Sequence, residues 1–147
     1  MKLTSIILFF LILIFSAEVS ADNCDLSIVS VNFGSYNMFD SSPDVSTGEI
    51  TVNCDPDLPF VVKLGPGKNS GGSFSPRKMI STSGDFLDYN LYRDSTQIEI
   101  FGDGTGNTFT QVGVGINQQF TVYGVIPAMQ NIRAGSYSDS VTVTVEW

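Results

Sequence analysis

The sequence predicts an all-β sandwich, on three observations. Short runs of alternating apolar and polar residues recur along the chain, no stretch after Ala21 carries a helical period, and the runs are separated by Gly, Pro, Asn, Asp and Ser. The closing run, 140–147, alternates to its last residue, with Val141, Val143, Val145 and Trp147 on one face. That face must be buried, and a sheet that ends on an apolar strand has an edge to be managed.

The elements follow in order. Residues 1–21 read as a secretory signal: Lys2 gives a basic start, 6–15 is an almost unbroken apolar run, and Val19-Ser20-Ala21 offers a small-residue cleavage site. The run is too short for a bilayer-spanning helix of roughly 20 residues. Residues 22–147 then form one domain, long enough for a real core. The first strand is expected over 26–33. Leu26 and Ile28 lie on one face and Val29, Val31 and Phe33 on the other, and this switch of parity implies a kink or bulge. A clean strand follows at 48–54, with Ile50, Val52 and Cys54 pointing inward.

Phe60, Val62 and Leu64 make the inner face of a third strand, broken by Gly65-Pro66-Gly67. Residues 77–80 read as a short edge strand. Leu87, Tyr89 and Leu91 alternate with polar neighbours, and Ile98 and Ile100 continue after the Arg93-Asp94-Ser95 turn. Phe120, Val122 and Ile126 mark the long penultimate strand, ended by Pro127. Alternation places Tyr89 and Trp147 in the core.

Composition excludes several functions. The formal net charge is −8, from 7 Lys and Arg against 15 Asp and Glu, and the cations are scattered. Nucleic acid and anionic membrane both need clustered cations. There is no histidine, so neither a Ser-His-Asp nor a Cys-His arrangement exists, and no enzyme is expected. The two cysteines, Cys24 and Cys54, read as one disulfide in an exported chain, worth roughly 3–4 kcal/mol in the chain-entropy model. No cofactor or metal is expected. Gly102-Asp103-Gly104-Thr105-Gly106 lacks the lysine and helix of a phosphate-binding loop; calcium at Asp103 and Asn107 fits no trusted spacing, and a tight hairpin accounts for the glycines better.

An ordered series of motifs spans the chain. It runs from Cys24 through Val31-Asn32-Phe33-Gly34-Ser35-Tyr36 and Gly48-Glu49-Ile50-Thr51-Val52-Asn53-Cys54 to Arg77-Lys78-Met79 and Leu87-Asp88-Tyr89-Asn90-Leu91-Tyr92. It continues with Phe101-Gly102-Asp103-Gly104-Thr105-Gly106 and Thr121-Val122-Tyr123-Gly124-Val125-Ile126-Pro127. It closes on Gly135-Ser136-Tyr137-Ser138-Asp139-Ser140-Val141-Thr142-Val143-Thr144-Val145. The series resembles the spore coat protein U family, which includes pilins of archaic chaperone–usher pili. Each motif alone is unspecific; the ordered set is specific.

The resemblance implies an immunoglobulin-like sandwich lacking its last strand, completed first by a periplasmic chaperone and then by a neighbouring subunit's extension. It implies a groove bordered by Leu26, Ile28, Val29, Val31 and Phe33 on one side and Val141, Val143, Val145 and Trp147 on the other. The implied partners are the chaperone, an outer-membrane usher and other pilins. The implied route runs through the periplasm to the cell surface, without membrane insertion after signal cleavage.

The chain departs from the pattern at Phe101, where the family usually has tryptophan, and at Val125, where arginine is common. Only Asp22 and Asn23 separate the signal from Cys24, where family pilins carry a donor extension. On that reading the subunit accepts a strand but gives none, and is expected at the end or tip of a fibre. Two alternatives stay open: a self-sufficient coat or matrix protein, and a secreted sugar-binding module using loop tyrosines and Asp103.

Overall fold

The computed structural model describes residues 23–147, so the expected signal at 1–21 lies outside the described residues. The described chain is all β. Its strands are β1 (Cys24–Val29), β2 (Asp44–Cys54), β3 (Pro59–Leu64), β4 (Arg77–Ser81), β5 (Phe86–Tyr92), β6 (Ile100–Phe101), β7 (Thr108–Phe109), β8 (Gln111–Val114), β9 (Gln118–Ile126), β10 (Tyr137–Ser138) and β11 (Val143–Glu146). The larger sheet runs β1-β2-β9-β5-β4-β10, with β6 and β7 attached beside β5; the smaller runs β11-β3-β8.

Alternation explains why the sheets face each other. Ile50, Val52 and Cys54 from β2, Leu87, Tyr89 and Leu91 from β5, and Val122 and Ile126 from β9 meet Phe60, Val62 and Leu64 of β3 in one core. The Cys24–Cys54 disulfide, with an S–S distance of 2.01 Å, ties the start of β1 to the end of β2.

Several expectations are corrected. The first strand stops at Val29 rather than Phe33. The 77–80 segment is not an edge: β4 lies between β5 and β10. Ile98 is 76% exposed, because Asp94 accepts the N–H groups of Ile98 and Glu99 and holds 94–99 as a loop. No hairpin forms around Gly102–Gly106. β6 and β7 run parallel, Ile100 opposite Thr108. Asp103 sends the chain through a wider turn by accepting from the Thr105 N–H at 2.9 Å and its hydroxyl at 2.6 Å.

Trp147 is also not core. It is 58% exposed and lies with Pro59, Val61, Val112 and Val114 in a shallow apolar hollow. β11 ends one residue earlier, and the interior at this end is filled by Phe60 and Phe120, packed edge-to-face at 6.1 Å.

Candidate functional site: an open flank of the sandwich

β1 ends the larger sheet and β11 ends the smaller one, and among the described residues neither has a partner on its outer side. Leu26 and Ile28 stand opposite Val52 and Ile50, on the face that should be core. Their partners are sealed, at 0% and 1% exposure, yet Leu26 and Ile28 are 42% and 49% exposed. Among the described residues nothing covers this flank of the sandwich.

The parity switch in the first segment has a physical basis. After Val29 the chain leaves the sheet, and Val31 and Phe33 dip toward the interior over two glycines. A Cβ on Gly48 would lie 2.6 Å from the Val29 carbonyl oxygen and 2.9 Å from Val31 Cγ2. A Cβ on Gly124 would lie 2.6 Å from Phe33 Cζ and 2.7 Å from Val31 Cγ1. Only glycine leaves room for the crossing.

Between this segment and the 132–143 stretch opens a cleft of about 1000 Å³. Ile28, Val29, Val31, Phe33, Val141 and Val143 line it, over a floor that includes Ile50, Leu64, Leu91, Val122 and Ile126. Leu26 and Val145 lie on the inner faces of the flanking strands but outside the cleft lining, and Trp147 lies elsewhere. Val145 is half-buried opposite Val62. Tyr36, Met79, Ile132 and Tyr137 line the cleft without having been anticipated. They sit in connections or on the short strands β4 and β10, where no period marks them.

The cleft lining also includes polar groups. Asp139 lines it beside Tyr89, whose hydroxyl donates to Asp139 Oδ2 at 2.6 Å. Asp139 Oδ1 accepts the Lys68 N–H and the Asn69 side-chain amide, each at 2.9 Å. Burial first, and then the hydrogen bond to Asp139, push the Tyr89 phenol well above its usual range.

Behind this pair lies Arg77, fully buried. Its guanidinium donates to the Gly65 carbonyl at 2.8 Å, the Phe101 carbonyl at 2.6 Å and Asn90 Oδ1 at 3.2 Å. Burial pulls its pKa down to about 10, against the opposing pull of Tyr89 and Asp139. Asp103 is spent on its own loop through Thr105 and Thr108. Gln130 caps the ladder of β5: its amide accepts the Asp88 N–H and donates to the Asp88 carbonyl, both at 2.8 Å, just where β9 has ended.

Such an arrangement is suited to binding an extended segment by geometry. An open edge offers backbone donors and acceptors, and the uncovered apolar floor takes alternate side chains from an extended segment.

Comparisons with known proteins agree with the architecture. A family model described as Spore Coat Protein U domain matches residues 12–144. "Protein U" of Myxococcus xanthus is 32% identical over 126 residues, covering 79% of this chain and 70% of its own length. Among solved structures, the chain is similar to one in the CsuC–CsuE chaperone–tip adhesion subunit pre-assembly complex, from the archaic chaperone–usher Csu pili of Acinetobacter baumannii. The TM-score is 0.61 at 26% identity, over 86% of this chain and 40% of that one. A looser likeness is to HdaB, the minor tip subunit of the E. coli Hda pilus, with a TM-score of 0.48 at 17% identity, over 82% of this chain and 80% of that one.

Proposed function

The chain belongs to the Spore Coat Protein U domain family, and from that membership we propose that it is a structural subunit of a bacterial surface fibre or coat, built by accepting a donor strand into the open cleft. The observation that carries the reading is the flank left uncovered among the described residues: inner-face residues Leu26 and Ile28 half exposed beside sealed partners, and a β11 that pairs with β3 on one side and presents its outer edge across the cleft. A strand laid along β11 gains backbone hydrogen bonds and buries its alternate side chains in the core.

The likeness to a chain of the CsuC–CsuE pre-assembly complex supports a chaperone as first partner and, more finely, a place at the fibre end. Residues 1–21 act as the export signal, and transit runs through the periplasm to an usher. The role is architectural rather than catalytic.

The test is export of the full chain into a periplasm with and without a chaperone of the archaic type. Co-purification in one-to-one stoichiometry, with degradation or aggregation of the chain alone, is the expected result. A chain that accumulates alone and unfolds as a stable cooperative monomer overturns the strand-acceptor mechanism and leaves a self-completing coat protein.

A further inference from the structure

The cleft is not uniformly apolar, and one polar pair in its lining has a particular character. Tyr89 and Asp139 both line it. The Tyr89 hydroxyl has already given its hydrogen to Asp139 at 2.6 Å. A carboxylate only accepts, with about four acceptor positions, and a phenol whose hydrogen is committed can only accept further. Three donors hold Asp139: Tyr89, the Lys68 N–H and the Asn69 amide. The Tyr89–Asp139 pair itself therefore has acceptors to offer and no free donor.

Solvent can satisfy these acceptors while the cleft stays open. A strand that fills the cleft displaces that water, and an acceptor sealed without a partner is costly. Buried Arg77 lies close enough to offset part of the carboxylate's charge, so a neutral donor suffices.

On the strand-acceptor reading, we infer that the cleft selects a donor strand whose alternating apolar residues are interrupted, at the inward position facing Tyr89 and Asp139, by a side chain bearing an O–H or N–H group. Tyr89 and Asp139 are then specificity-determining residues for the partner strand. The floor formed by Leu64, Leu91 and Val122 takes plain aliphatic side chains.

The experiment tethers the strand so that no partner need be identified. The full chain is exported with a flexible Gly-Ser linker after Trp147, followed by a strand alternating valine inward and serine outward. Each inward valine is replaced in turn by threonine, which has the same shape and adds one hydroxyl. Thermal unfolding is measured for each. At one position threonine is expected to raise the midpoint by about 4 °C over valine, and at the others to lower it. In Tyr89→Phe and Asp139→Asn chains the preference at that position is expected to vanish.

If valine is best at every position of the unaltered chain, the inference is wrong while the strand-acceptor reading survives. If no tethered strand raises the midpoint at all, the strand-acceptor reading itself fails. Because the scan in the unaltered chain decides alone, a Tyr89 or Asp139 variant that does not fold leaves the result intact.

Discussion

The two flanks of this sandwich are built on opposite plans. On the flank near Arg77, the sheets are stitched together. Leu64 N–H donates to the Gly102 carbonyl at 3.1 Å, Gly102 N–H to the Phe109 carbonyl at 2.8 Å, and Arg77 ties Gly65 and Phe101 across the gap. Phe101 there is fully sealed. On the flank between β1 and β11, inner-face aliphatic side chains stand half exposed over a cleft. The difference teaches that one flank of this core is closed by hydrogen bonds between the sheets, while the other stands open among the described residues.

The largest test of that contrast strikes the stitched flank. Arg77→Met removes the donors for two backbone carbonyls and leaves Asp139 without its nearby cation; a loss of about 3–5 kcal/mol is expected from urea unfolding. Val31→Ala on the open flank should cost only about 1 kcal/mol, since Val31 is half-buried. Equal costs would abolish the distinction between the flanks.

Replacing Cys24 and Cys54 together by alanine is expected to cost roughly 3 kcal/mol. It frees β1, so it should also weaken capture of a tethered strand, read as a smaller rise in unfolding midpoint. Gly124→Val forces a side chain against Val31 and Phe33 and should cost about 1–3 kcal/mol. Its signature is local, because hydrogen exchange should speed up in β1 while the amides of β5 stay protected.

The smallest effect is a pH dependence. The folded Tyr89 phenol sits above its ordinary value of 10, so its contribution is fully present below pH 10 and is lost as pH rises beyond it. Arg77, pulled down to about 10, works in the opposite direction over the same alkaline range. A Tyr89→Phe chain should be about 1 kcal/mol less stable at neutral pH and should lose the alkaline decline. An unchanged alkaline profile would place the Tyr89 proton outside the linkage.

Much of this was legible because alternation reports burial directly. Ile50, Val52 and Cys54, then Phe60, Val62 and Leu64, then Leu87, Tyr89 and Leu91 are core as their spacing predicts. The switch of parity at Val29 marks the break in the chain path that ends β1. What period could not reveal was set by single contacts. Trp147 keeps the phase of β11, but Phe60 and Phe120 already occupy the interior at that end. The glycines around Asp103 signalled a turn, yet its width depends on which hydroxyls the carboxylate captures. Arg77 looks like a surface cation on a short strand; its burial follows from three acceptors contributed by distant segments.

The covalent link between Cys24 and Cys54 also bears on how the molecule carries load. The two residues are 30 apart in sequence. At about 3.4 Å of reach per extended residue, the bond withholds roughly 100 Å of chain from extension. A pulling force entering near Cys24 passes straight across the bridge into the end of β2, and β1 with its crossing over the glycines is spared. Stretched between its ends, the domain should lengthen in a shorter step with the bridge intact than after reduction, so the bond that fixes one wall of the cleft also shields that wall from tension.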